Sequence, residues 1–159
     1  MPETKFFVDA MLGTLAKKLR LLGFDASYSS NIDDDDLISR AGKESRIIVS
    51  KDELLIQTAL KKGVSAVLIT KKDDLEQILE IHEKFPLGKL DISPSTTRCP
   101  VCNGSLLAEE KEPLRKVVPV TIFDSFDNFW RCERCHKVYW QGSHIDNLQK
   151  FVSELNERI

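Results

Sequence analysis

Residues 46–69 read RIIVSKDELLIQTALKKGVSAVLI. Two short apolar runs, Arg46–Val49 and Ala66–Ile69, flank a segment from Asp52 to Lys62 with apolar residues at helical spacing, and Gly63 follows it. A strand exposed on one face alternates apolar and polar residues, whereas these runs are apolar throughout, as in strands covered on both sides. A strand, a helix and a strand joined by short turns define a parallel unit, and the expectation is an α/β sheet flanked by helices.

The pattern continues outward. Lys5–Val8 (KFFV) reads as a first strand. Leu12–Leu22 reads as a helix with Leu12, Leu15, Ala16, Leu19 and Leu22 inward and Lys17, Lys18 and Arg20 outward, closed by Gly23. Asp25–Ser29 is a second strand. Asn31–Asp36 (NIDDDD) opens a helix running to about Glu44, with Asp33 or Asp34 as its cap, and Asp73–Lys84 is a further helix. Phe85–Thr97 carries prolines, a glycine and small polar residues and reads as a linker, placing a boundary near residue 95. The expected division is 1–95 for the α/β domain and 96–159 for the remainder. Ile145, Leu148, Val152 and Leu155 mark a terminal helix, which His144 is expected to start.

The chain of 159 residues is 42% hydrophobic and 30% charged, enough for a core and a well-solvated surface. Residues 1–97 carry 14 Lys/Arg and 16 Asp/Glu, and residues 98–159 carry 9 of each, so neither part is a broadly basic nucleic-acid module. No apolar run is long enough to span a membrane, and MPETKFFVDAMLG lacks the layout of a signal peptide. A cytoplasmic location is expected.

Cys99-Pro-Val-Cys102 and Cys132-Glu-Arg-Cys135 are the chain's cysteines. Each C-x-x-C can form a knuckle whose amides point at both sulfurs, and two knuckles supply four thiolates for a closed, structural Zn²⁺ site. Neither pair follows a strand of an α/β unit, as a redox pair would. A ribbon this small would draw much of its folding free energy from the metal.

Acidic residues recur where strands end. Asp9 follows FFV, Asp52 follows IIV-Ser-Lys, Asp73 and Asp74 follow VLIT-Lys-Lys, and Asp33–Asp36 open the second helix. In an open parallel sheet, ligands bind outside the carboxyl ends of the strands. Clustered carboxylates repel one another, and a hard cation such as Mg²⁺ or Mn²⁺ relieves the repulsion. Such an ion activates water for phosphodiester hydrolysis. Taken singly, Asp52, Asp73 and Asp74 read as helix caps and Asp33–Asp36 as a solvated cluster. Asp9, with no helix start requiring it, is the hardest to explain that way.

Phe7–Gly13 (FVDAMLG), Leu19–Asp25 (LRLLGFD), Asp33–Leu37, Ile47–Asp52 (IIVSKD), Cys99–Gly104 (CPVCNG), Phe129–Cys135 (FWRCERC) and Val138–His144 (VYWQGSH) together resemble the PIN-like ribonuclease domain named from the C-terminal part of the Mut-seven exonuclease. IIVSKD has Ser-Lys where the family pattern has Thr-Arg, which keeps a hydroxyl and a positive charge. The resemblance covers nearly the whole chain. It implies a PIN-like α/β fold with a zinc ribbon, ribonuclease activity with Mg²⁺ or Mn²⁺, and RNA as partner. It carries the metal-binding role onto Asp9, onto an acid of Asp34–Asp36 (Asp34 or Asp35 favoured), onto Asp52, and onto Asp73 or Asp74, with Asp74 taken as the site residue.

Trp130, Arg131, Arg134, Lys137, Tyr139 and Trp140 surround the second knuckle and are candidates to stack on bases or meet phosphates, against a plainer role for the tryptophans as ribbon core. Lys17, Lys18 and Arg20 read first as a solvated helix face. His82, His136 and His144 are assigned no catalytic role. Two other readings compete. One is a non-catalytic RNA- or protein-binding adaptor. The other is a phosphoacceptor domain using Asp52 with Lys71 or Lys72, which the lone acid after the first strand disfavours.

Overall fold

The computed structural model describes residues 4–159, apart from the side chains of Ser143 and His144. What was expected of Met1–Glu3, and of the His144 side chain, lies outside the described residues. A four-stranded parallel sheet is built from β1 (Lys5–Val8), β2 (Asp25–Tyr28), β3 (Ile47–Ser50) and β4 (Ala66–Leu68) in the order β2-β1-β3-β4. The helices α1 (Gly13–Leu21), α2 (Asp34–Glu44), α3 (Glu53–Lys61) and α4 (Asp74–Lys84) connect and cover it.

Alternate strand residues serve two separate cores. Phe6, Val8, Ile47, Val49 and Val67 pack with Leu15 and Leu19 of α1 and Ile78 and Ile81 of α4. Phe7, Ile48 and Ala66 point the other way, onto Leu37, Ile38 and Ala41 of α2 and Leu55, Ile56 and Ala59 of α3. This explains the unbroken apolar runs, because both pleat directions are buried. Burying Phe6 or Phe7 fully contributes about 2–3 kcal/mol each.

α1 begins later than its periodicity predicts, because Ala10–Leu12 form a 3-10 turn before Gly13. It ends as expected. The amide of Gly23 donates to Arg20 and that of Phe24 to Leu19, closing the helix around a left-handed Gly23 (φ +97°). A Cβ at Gly23 would also lie 3.1 Å from the Thr96 carbonyl oxygen, so the position serves both the turn and the close approach of the following linker.

The second part is a three-stranded antiparallel sheet of β5 (Leu106–Glu109), β6 (Phe129–Cys132) and β7 (Val138–Trp140), in the order β5-β6-β7. A 3-10 turn at Glu112–Leu114 and the short helix α5 (Val120–Ser125), unforeseen in the sequence, bring Leu114, Val118 and Phe123 onto Phe129 to form a small core. Trp140 packs edge-on against Phe129, centroids 6.5 Å apart, as its ribbon-core reading anticipates. The terminal helix α6 (Ser143–Arg158) leaves this sheet and inserts Val152 and Leu155 into the core of α1 and α4. The linker is anchored there, since Asn156 accepts from the Leu90 amide (2.8 Å) and donates to the Leu90 carbonyl (2.7 Å).

Arg20 corrects the outward placement expected of it: it is only 6% exposed. Its Nε donates to the Ala26 carbonyl (2.8 Å) and its Nη1 to the Pro100 carbonyl (2.9 Å). Asn103 accepts from the Ala26 amide (3.2 Å) and donates to Asp25 (2.7 Å), which also pairs with Arg46 at 2.7 Å. The outer edge of β2 is thus satisfied by side chains instead of another strand. Among the described residues, no helix is long and apolar enough to cross a membrane.

Burial alone would raise the Asp25 carboxyl, but hydrogen bonds from Arg46 and Asn103 outweigh it and hold the group below the ordinary Asp value. Its stabilisation is therefore complete above that ordinary value and is lost as pH falls through the depressed one. Asp25→Ala is expected to cost about 2 kcal/mol at neutral pH, read by urea unfolding, with the deficit shrinking under acid. A deficit unchanged down to strongly acidic pH would contradict this account.

Candidate acidic centre and cysteine cluster

The sheet order makes β1 and β3 neighbours whose chains leave in opposite directions, β1 towards β2 and β3 towards β4. A crevice opens at such a switch point, outside the carboxyl ends of the two strands. Asp9 ends β1 and its amide donates to the Val49 carbonyl (2.9 Å). Its Oδ1 accepts from the Ala10 amide (2.7 Å), so that Asp9 caps the 3-10 turn Ala10–Leu12 where no helix start was expected to need it, and its Oδ2 accepts from the Ser50 hydroxyl (2.7 Å). Ser50 is fully buried, and its Oγ also accepts from the Asp52 amide at 3.0 Å. One hydroxyl therefore fixes both the Asp9 carboxylate and the backbone presenting Asp52.

Asp52 caps α3, with Oδ1 accepting from Leu54 (3.0 Å) and Leu55 (3.2 Å), and no hydrogen bond among the described residues engages Oδ2. Capping and outward presentation coexist in one carboxylate. In the acidic run, Asp33 is the cap of α2, accepting from the Asp36 amide at 2.9 Å. That frees Asp34, the first helical residue. Partial burial, then the charges of Asp52 and Asp9, then those of Asp35 and Asp33, raise the Asp34 carboxyl above its ordinary value. Asp34 therefore feels the charges of Asp52 and Asp9 as well as those of its own helix start. Asp73 caps α4 through the Leu75 amide (2.9 Å). Asp74 pairs with Lys18 at 3.5 Å and lines a cleft with Thr14, Lys51 and Lys72.

Among the described residues, no three of the carboxylates gather into a ready metal-holding group. Among the described residues, the four cysteines are the group whose donor atoms all lie within 4.8 Å of one another. Like charges at a solvated strand end stand apart, whereas thiols pack together.

The two knuckles repeat one hydrogen-bond pattern. The Cys99 amide donates to the Gly104 carbonyl (2.8 Å) and that of Asn103 to Cys99 (2.8 Å). The Cys132 amide donates to Lys137 (2.9 Å) and that of His136 to Cys132 (3.0 Å). Asn103 (φ 73°) and His136 (φ 64°) take the left-handed conformation at the equivalent position. The sulfurs of Cys99 and Cys135 lie 3.7 Å apart, and those of Cys102 and Cys132 3.3 Å apart. Four thiolates at about 2.3 Å from a tetrahedral ion would be about 3.8 Å apart, so the cluster could hold a zinc ion with little adjustment.

Burial opposes ionisation of Cys132, but the amides of Cys135 and Arg134 and the Cys102 thiol bring it down to about 7. Burial and the same sulfur pairing push Cys102 up to about 12. The Tyr139 hydroxyl lies 2.9 Å from the Cys99 sulfur. Gly104 leaves no alternative, because a Cβ there would sit 2.7 Å from the Cys132 sulfur.

Sequence reasoning missed the roles of Ser50 between Asp9 and Asp52 and of Asn103 at the β2 edge, and read Tyr139 only as a base-stacking candidate, not as a partner of the Cys99 sulfur. Ser50 could have been noticed as the polar residue closing an otherwise apolar strand, and Asn103 as a residue type tolerant of left-handed geometry after a knuckle. Arg131 pairs with Glu109 at 3.5 Å and donates to the His136 carbonyl, so much of its charge is engaged within the ribbon.

A parallel four-stranded sheet flanked by helices and followed by four clustered cysteines defines an α/β domain with a cysteine ribbon. The Mut7-C RNAse domain profile matches residues 4–152, and the chain belongs to that family. Comparison with curated proteins gives no match.

Gly104→Ala is expected to abolish stoichiometric metal retention, measured by a thiol-displacement metal assay, while Gly42→Ala, whose added Cβ in α2 would meet only Val64 at an ordinary 3.4 Å, leaves it intact. Asp34→Asn should slightly raise stability at neutral pH, by about 0.3 kcal/mol since solvent screens an exposed group. A raised carboxyl favours the fold when protonated, so the gain should vanish below the ordinary Asp value. A loss of stability at neutral pH would show that repulsion does not dominate at Asp34.

Proposed function

We propose that the chain is a metal-dependent endoribonuclease that hydrolyses RNA phosphodiester bonds in the cytoplasm. Asp9, Asp34 and Asp52 are its central acids, with Asp35 and Asp74 flanking them. The observation that carries this reading is the geometry at the switch point, where the Ser50 hydroxyl donates to Asp9 Oδ2 (2.7 Å) and accepts from the Asp52 amide (3.0 Å), while Asp34 feels the charges of both acids. The repulsion that raises its proton affinity is what a hard divalent cation relieves.

The donor set fits Mg²⁺ or Mn²⁺, being carboxylate oxygen on a half-solvated edge. Bound there, such an ion supplies an activated water and neutralises charge developing at the phosphodiester. The chain's own contribution is positional. Ser50 and the Ala10 amide hold Asp9 in one rotamer, and the start of α3 holds Asp52 through Oδ1 alone. Lys51 and Lys72, in the adjoining cleft, are placed to meet the phosphates of a strand. Zn²⁺ in the cysteine cluster is structural, because four sulfurs leave no position for water. Residues 1–95 are taken as the catalytic unit and 96–159 as the ribbon with its terminal helix.

Purified protein is expected to cleave single-stranded RNA with added Mn²⁺ or Mg²⁺, and Asp9→Asn should lower the rate at least 100-fold while keeping the circular dichroism spectrum and zinc content. Ser50→Ala should reduce kcat by roughly tenfold, as expected of a group acting through a ligand. Mn²⁺ should raise the Tm of wild type but not of Asp34→Asn. RNA binding without cleavage by wild type on several substrates, unaffected by Asp9→Asn, would instead establish an adaptor.

A further inference from the structure

We propose that the recess between the ribbon and the end of α1 receives an unpaired base of the RNA strand, whose backbone follows α1 to the acidic centre. This rests on the ribonuclease reading above. The recess is walled by Leu21, Pro100, Leu106, Trp130 and Tyr139, and forms a cavity of about 70 Å³ that opens to solvent on one side. None of the lining residues carries a formal charge, and the lining also holds the amides of Gln141 and Gln149. Aromatic and apolar walls with a few amides suit a flat heterocycle, which stacks on the rings and offers its exocyclic groups to the amides. An alkyl chain would leave the amides unused, and an anion would find no counter-charge.

The two faces of β6 divide the work. Phe129 faces the small ribbon core, while Trp130, the next residue, faces the recess beside Tyr139. The recess connects to the acidic end along α1. Thr14, at the start of that helix, lines the cleft with Lys51, Lys72 and Asp74, and Leu21, at its end, lines the recess. Thr14, Lys17, Lys18 and Leu21 fall at helical spacing on one stripe. Lys17 is exposed, and Lys18 lies between Asp74 and the Phe151 ring of α6. Nine residues of helix span about 13 Å, a path a few nucleotides long. Charge complementarity therefore selects the occupant, since lysines lie along the path and the uncharged recess lies at its end.

Of the two tryptophans in the chain, Trp130 faces the recess and Trp140 borders it with its ring against Phe129, so the quenching that is lost in Trp130→Phe reports occupancy of the recess. The test uses full-length Asp9→Asn without added Mg²⁺ or Mn²⁺, titrated with a single-stranded uridine oligonucleotide and with an abasic strand of equal length. Saturable quenching is expected with the uridine strand, and about tenfold weaker binding with the abasic one. In the same background, Trp130→Phe should retain binding, and Gln149→Glu at the exposed mouth should weaken it several-fold with unchanged circular dichroism and zinc content. Equal affinity for the two strands would overturn the proposal. So would absence of quenching at concentrations where the anisotropy of a labelled strand shows saturation. Cleavage by wild type without quenching would remove the base recess alone, whereas quenching without any cleavage would remove the nuclease reading and leave the recess.

Discussion

The free edge of β2 is the constraint on which the two halves of the molecule depend. A parallel sheet of four strands must end somewhere, and at β2 it ends with the Ala26 amide and carbonyl pointing outward. Unpaired, these groups would cost stability and invite association with another chain. Asn103, from the first cysteine knuckle, and Arg20, from α1, satisfy both. Asn103 can reach only because it adopts the left-handed conformation that the knuckle imposes. The geometry around the sulfurs and the closure of the sheet are therefore a single problem solved once. Arg20 completes the join by donating to Pro100 within the same knuckle.

At the opposite end of the sheet the logic is electrostatic. Helices that start beside strand ends favour aspartate as cap, and α2, α3 and α4 all use one. A row of capping acids is stable by itself, since each carboxylate is satisfied by amides of its own helix. What distinguishes this edge is the surplus. Asp9 serves no regular α-helix, Asp34 follows a cap already supplied by Asp33, and Asp52 caps with one oxygen only. Asp34 feels the charges of both Asp9 and Asp52, which follow two other strands, a closeness that capping alone does not require.

Much of this was legible in the sequence, for identifiable reasons. The strands β1, β3 and β4 were readable because burial on both faces leaves no polar residue to interrupt them. The caps were readable because aspartate before an apolar helix has few other uses. The cysteine cluster followed from spacing alone. Arg20 was not readable, because a charged residue between apolar positions looks solvated until the ribbon that covers it is known. The insertion that builds the ribbon's small core escaped for a related reason: Leu114, Val118 and Phe123 show no single period, being gathered from a 3-10 turn, a loop and a short helix. Ser50 was visible only as part of a motif, since nothing in its neighbours announces a hydroxyl shared between Asp9 and the Asp52 amide. The resemblance to a ribonuclease family supplied candidate acids, while the structure separates the cap Asp33 from its neighbour Asp34.

The route of the chain has a mechanical consequence. The ribbon is an excursion that leaves the α/β body after Leu90 and returns through α6, and its departure and return are tied together by Asn156. A backbone break in the loop between Glu109 and Phe129 would thus create two fragments, each holding one cysteine knuckle. The first would keep the whole parallel sheet, and the second would keep the helix that fills its flank. Such a nicked protein would behave as a non-covalent heterodimer, with the pairing of β5 on β6, the facing cysteine sulfurs, and Val152 and Leu155 as its interface.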